Sequence, residues 1–168
     1  MLWLRLRYIY FMKKLQYFIQ IHAQKEKVWR TLWADQTFRE WASVIDEGTY
    51  MTGEMKEGIE VQFISSVNGY GVTSLIESLI PNEYVLLRHQ ADTKESGGQV
   101  REDEWTGGQE SYSLRENGGM TTLTVEQDVP PELVDIFEER IPKALEKVKS
   151  LAENKGYKSP RVKDSESK

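Results

Sequence analysis

The chain has 168 residues, no cysteine and a formal net charge of −5. At roughly 150 residues per domain this is one domain, and a chain of this length buries about two-thirds of its unfolded surface without needing a staple. The missing cysteine excludes a disulfide framework, thiolate metal sites, a redox pair and a cysteine nucleophile. No stretch approaches the roughly 20 apolar residues of a membrane span, and the acidic balance argues against a general nucleic-acid binder.

The charge is unevenly spread. Residues 1–14 hold Arg5, Arg7, Lys13 and Lys14 and no acid, and residues 155–168 hold five bases and two acids. Between these ends lie 25 acids against 13 bases, so the body is strongly acidic. The first twelve residues are very apolar but too short to span a bilayer, and they lack a clear small-x-small cleavage site. Three readings fit them: an extension of the first strand, a membrane-surface segment, or sequence upstream of a natural start at Met12, which is the reading taken here. Residues 155–168 have almost nothing apolar to bury and are expected to form a disordered, solvated basic tail.

From Leu15 to Ile21 apolar residues alternate, which predicts a half-buried strand. Val28, Trp29, Leu32 and Trp33 then recur at helical spacing, followed by Phe38 and Trp41, predicting one or two short helices over about 25–42. A run of strands follows. Ile59, Val61 and Phe63 alternate with polar residues. Asn68 to Gly71 is a turn, 72–80 a strand ended by Pro81-Asn82, and 84–89 another strand. Residues 91–104 are polar and acidic and are expected to form a long loop. After Gly107-Gly108, residues 110–115 and 121–127 read as strands joined at Asn117-Gly-Gly119, a strong hairpin signal.

Pro130-Pro131 opens a helix, since proline is tolerated in a first turn. Leu133, Val134, Phe137, Ile141, Leu145, Val148 and Leu151 then recur every three to four residues as far as about 154. That stretch is roughly 33 Å long at 1.5 Å per residue. Pro142 lies inside it and is expected to kink it. Runs of strands bounded by helices indicate the α+β class.

This pattern resembles the START-like, helix-grip superfamily (SRPBCC). Within it, the pattern resembles the family of the activator of the 90-kDa heat-shock protein ATPase and its homologue-like domains. The likeness is carried by Val28-Trp29 after the first strand, Phe38 and Trp41, and Glu57-Gly58. It continues through Ile80-Pro81-Asn82-Glu83, Tyr112 to Leu114 with Gly118-Gly119 and Thr122 to Val125, and Pro142 to Val148. It covers residues 13–154, leaving 1–12 as an N-terminal extension. Gln24 departs from it, because proline is usual before the first helix. The resemblance implies a curved antiparallel sheet wrapped around a long C-terminal helix, with a cavity between them. Most members of the superfamily bind hydrophobic small molecules or lipids there, and some are cyclases, hydrolases or aromatases. The activator's role does not transfer to a free-standing domain by fold alone.

Candidate chemistry is sparse. His89 shares a strand face with Val85 and Leu87, so an inward face would make it a hydrogen-bonding or acid–base group; otherwise it is a histidine satisfied by a backbone partner, or one facing solvent. His22, at a strand end, reads as structural. Two isolated histidines and no cysteine speak against a metal site, and no cofactor is implied. Glu77 faces inward or outward depending on whether the turn after Ile80 has three or four residues, and both parities stay open. The acidic run Glu102-Asp103-Glu104, flanked by Arg101 and Trp105, reads as a solvated loop, as the gate of a cavity mouth or as a loose holder of a cation. The glycines at 69, 71, 107 and 108 do not join a strand to a helix as a phosphate loop would.

The aromatic content is the more useful signal. Trp29, Trp33, Trp41, Phe63, Trp105, Tyr112 and Phe137 either fill the core or line a pocket. The expected function is binding of an apolar or aromatic, lipid-like molecule between the sheet and the helix 131–154. The expected lining is Trp41, Phe63, Ile76, His89, Trp105, Tyr112, Phe137, Ile141 and Leu145, with His89 or Tyr112 fixing a polar end. A co-chaperone-like module that binds a chaperone or other protein is the second reading, and a cavity enzyme of hydrolase or cyclase type using His89 is the third. A cytoplasmic location is expected.

Overall fold

A computed structural model describes residues 12–96 and 104–154. Residues 1–11 of the N-terminal extension, the tail, Arg101 and most of the acidic run (Glu102 and Asp103) lie outside the described residues. Seven strands form one antiparallel sheet: β1 (Lys13–Ile21), β2 (Thr49–Thr52), β3 (Glu60–Ser65), β4 (Tyr70–Ile80), β5 (Tyr84–Lys94), β6 (Gln109–Asn117) and β7 (Met120–Val129). Their order across the sheet is β1-β7-β6-β5-β4-β3-β2. Helices α1 (Lys25–Trp33) and α2 (Asp35–Ala42) follow β1. A short 3-10 turn (Pro131–Leu133) leads into α3 (Val134–Glu153), around which the sheet curls. This is the helix-grip architecture, α+β in class.

The strands obey the period of two that their sequence shows. Along β7, Thr121, Leu123, Val125, Gln127 and Val129 are buried while the residues between them are half-exposed. Two glycines close the β6–β7 hairpin between Asn117 and Met120, with φ of 60° at Gly118 and 81° at Gly119. Both values lie in the left-handed region that a two-residue hairpin turn requires and that glycine adopts freely.

Gly71 has a different reason. A side chain there would place its Cβ 1.9 Å from the Phe63 carbonyl oxygen, so β3 and β4 approach each other only because nothing projects.

The helices split where Ala34 turns extended (φ −66°, ψ 135°), which reorients α2 against α1. The Trp41 indole then donates to the Leu32 carbonyl at 3.0 Å across the corner. Along α3, Ile141, Ala144, Leu145, Val148 and Ala152 are buried, and the helix packs on β1, α1 and α2. Burying a Leu or Val of this kind stabilises by about 2 kcal/mol. Pro142 removes the donor that the Glu138 carbonyl would otherwise receive, yet the helix continues through it. The C-terminal end of α3 is fastened to β1: the His22 N–H donates to Glu153 at 2.8 Å and the Lys149 ammonium to the Gln20 carbonyl at 2.8 Å. His22 thus contributes through its backbone.

Two features differ from the sequence expectation. β2 is a short edge strand whose four residues carry little alternation. β5 runs on to Lys94 instead of ending at His89, because polar residues 91–94 pair with Tyr70–Thr73 of β4. The turn after Ile80 has three residues, with Asn82 left-handed at φ 65° and Ile80 paired with Tyr84. β4 also carries an irregularity between Ile76 and Ser78, so Glu77 has no partner in the ladder. It projects outward and pairs with Arg88 at 3.0 Å.

Candidate functional site

A cavity of about 310 Å³ lies between the sheet and the first turns of α3. Its aromatic walls come from Phe38 and Trp41 of α2, Phe63 of β3, Trp105 before β6, Tyr112 of β6 and Phe137 of α3. The rings support one another edge to face and by tilted stacking. Phe38 and Trp41 centroids are 5.1 Å apart, Phe38 and Phe63 5.7 Å, and Trp105 and Phe137 5.4 Å. Ile45, Asp46, Asn68, Ile136 and Arg140 line the outer part. There the exposed Arg140 guanidinium donates to the Ile45 carbonyl at 2.7 Å, tying α3 to the segment after α2.

Of the nine residues expected to line a pocket, Trp41, Phe63, His89, Trp105, Tyr112 and Phe137 surround this space. Ile76, Ile141 and Leu145 do not. The cavity stops at the Ser74–His89 pair, and Ile76 with its partner Leu87, two residues along the strands, is closed core with no exposure. Ile141 and Leu145 lie one and two turns past Phe137, where α3 has closed onto the packed core.

The inner end of the cavity is polar. His89 is almost fully buried, and its Nδ1 is 2.7 Å from the Ser74 hydroxyl. Its Nε2 has no hydrogen-bond partner and lies 3.7 Å from Glu110 Oε2, beyond hydrogen-bond reach. Glu110 lines the cavity two residues before Tyr112, whose phenol donates to Glu110 Oε1. Across the ladder Glu110 faces Gln127, also a lining residue.

Burial disfavours charge on all three groups. It pushes the His89 imidazole down to about 4, against a smaller opposing pull from Asp128. It pushes the Glu110 carboxyl up to about 7 despite the phenol bonded to it. The Tyr112 phenol is raised further above its ordinary value, by burial and by Glu110. Near neutrality His89 is therefore uncharged, and Glu110 is the one inner group poised between two protonation states.

The loop bearing Trp105 is held by a buried carboxylate. Asp92, 2% exposed, accepts the Glu104 and Trp105 backbone N–H groups, each at 3.1 Å. The Trp105 ring then meets the His89 ring edge-on at 5.9 Å.

Glu110, Gln127 and Asp92 were missed from the sequence. The first two were accessible by parity: an inward Tyr112 implies an inward Glu110, and an inward Val125 implies an inward Gln127. Asp92 gave no signal, because its stretch reads as loop. Among the described residues no group of three or more acidic or histidine side chains could hold a metal ion, and no helix is long and apolar enough to cross a membrane.

No protein-family model matches the chain, and comparison with the curated proteins found no match. Solved structures do match. The Aha1 dimer from Colwellia psychrerythraea is 19% identical at a TM-score of 0.63, over 87% of this chain and 100% of that one. Protein MLL2253 from Mesorhizobium loti is 16% identical at a TM-score of 0.65, over 83% of this chain and 96% of that one. DynU16, from the dynemicin biosynthetic locus, is 14% identical at a TM-score of 0.61 over 82% of this chain. The match covers 46% of DynU16, so this chain spans about half of that protein's length. At such identities the likeness is one of fold. The chain has the helix-grip fold.

Proposed function

We propose that the domain, residues 13–154, binds an apolar or aromatic small molecule in the cavity between the sheet and α3. The observation that carries this reading is the cavity's construction: rings on the walls and, at one end, Glu110 beside a buried His89 nitrogen that has no hydrogen bond. Concave apolar sites with a few convergent polar groups are the usual form of small-molecule pockets. The narrower likeness to the heat-shock ATPase activator's homologue-like family belongs to the same reading, with ligand binding and not chaperone contact as the activity.

The test is titration with N-phenyl-1-naphthylamine, a neutral dye that brightens in apolar surroundings. The native protein gives a saturable rise. Val72→Trp fills the space, since Val72 lines it, and weakens binding by about tenfold or more, the equivalent of ~1.4 kcal/mol, while the far-ultraviolet dichroism is unchanged. Absence of saturable binding to the native protein, or equal binding to the variant, contradicts the reading and turns attention to the protein-interaction alternative on the acidic body.

A further inference from the structure

The inner end of the cavity does more than close it. Glu110 presents two carboxyl oxygens with different fates. Oε1 already accepts a phenolic hydroxyl, that of Tyr112. Oε2 has no hydrogen bond of its own, and its neighbour His89 Nε2 stays out of reach at 3.7 Å. The Glu110 side chain keeps 14% exposure, and it lines the cavity. An acceptor open to a cavity walled by rings bonds strongly when a donor reaches it, because an O–H donor to a carboxylate forms a charge-assisted bond.

We propose that Glu110 Oε2 is the recognition point for the hydroxyl of an aromatic ligand, a phenol or an aryl alcohol, seated among Trp41, Phe63, Trp105 and Phe137. The proposal rests on the binding function above and names its ligand class. The protein's own Tyr112 is the precedent, since the same carboxyl already holds one phenol on its other oxygen.

Other ligand ends fit less well. A carboxylate would meet Glu110 with no cation to offset it: among the described lining residues Arg140 is the one permanent cation, and it is exposed and bonded to Ile45. An ammonium would create a buried ion pair, whose desolvation offsets much of its attraction. A hydroxyl is neutral and suits either state of Glu110, donating to the carboxylate or accepting from the acid.

The test compares four probes of one shape by calorimetry on the whole chain: naphthalene, 2-naphthol, 2-naphthoate and 2-naphthylmethylammonium. The native protein binds 2-naphthol about tenfold more tightly than naphthalene, as one hydrogen bond to a charged group provides, and binds 2-naphthoate more weakly than either. Glu110→Leu abolishes the preference for naphthol over naphthalene, and far-ultraviolet dichroism matching that of the native protein shows that the variant folds. Glu110→Gln, closer in shape, lowers the preference by a smaller factor. Equal binding of naphthol and naphthalene by the native protein, or tighter binding of the ammonium or the carboxylate, overturns this inference and leaves the cavity-binding function standing. If no naphthyl probe and no naphthylamine dye binds, the function itself fails, and the inference with it.

Discussion

The two halves of α3 use one apolar stripe for different ends. Past Pro142, Ala144, Leu145, Val148 and Ala152 are shut into a core with α1 and β1. Before it, Leu133, Ile136 and Phe137 face a space that the protein does not fill. The spacing of apolar residues is the same on both sides. What differs is what lies opposite: a closed core shared with α1 and β1 in one half, and in the other a cavity walled by rings, of which Trp105 reaches Phe137 at 5.4 Å. Periodicity reports which face of a helix turns inward, and it carries no information on whether the facing surface reaches it.

That contrast can be broken by substitution. Leu145→Ala removes a packed side chain and is expected to lower unfolding stability by about 3 kcal/mol, measured by denaturant titration, with dye affinity in the cavity retained.

A second prediction concerns the polar end. Glu110 has its folded pKa raised from 4.5 to about 7, so its contribution is fully present below 4.5 and is lost as pH rises through 7. His89 has its folded pKa lowered from 6.5 to about 4, so its neutral form is matched to the fold above 6.5 and its contribution is lost as pH falls through 4. Between about pH 4.5 and 6.5 the two slopes oppose each other and nearly cancel. Glu110→Leu should therefore unmask a gain in stability with rising pH over 4–6.5, and His89→Phe a loss with rising pH over 4.5–7. Each is measured as a difference from the native curve and is at most about 3 kcal/mol. The groups that face this pair, Ser74, Tyr112, Gln127 and the more distant Asp128, stay unchanged in both variants. Parallel pH curves for all three proteins would mean that burial does not control these groups.

The smallest effect falls on the cavity side of the helix. Phe137 is half-buried, so Phe137→Ala is expected to lower stability by only about 1 kcal/mol, below the range for a fully buried ring. It should weaken dye binding where Leu145→Ala does not. A reversal of these two outcomes would exchange the roles assigned to the two halves.

Much of this architecture was legible in the residues. The alternation in β1 and β7, the glycine hairpin at Gly118-Gly119 and the stripe of α3 each follow from local physics, and their order carried the resemblance to the helix-grip fold. What the residues left open or hid shares a cause. The two irregularities of β4 shift register without a residue signature, so the outward turn of Glu77 was undecidable beforehand. Asp92 looks like loop because its value lies in two backbone N–H groups twelve and thirteen residues away. Ile76, Ile141 and Leu145 belong to the correct faces but to the closed end, a distinction made by tertiary packing alone. Glu110 is different: the parity that turns Tyr112 inward turns Glu110 inward too, and only the habit of assigning carboxylates to the surface hid it.

The central claim is that ligand occupies the open half of the grip. Methyl-resolved nuclear magnetic resonance during titration with N-phenyl-1-naphthylamine tests it most directly. The account predicts shifts concentrated at Ile45, Val72, Leu133 and Ile136, which line the cavity, with Leu145 and Val148 little changed. Shifts centred instead on exposed Val67 and Ile80, or no saturable shifts at any methyl, would contradict it.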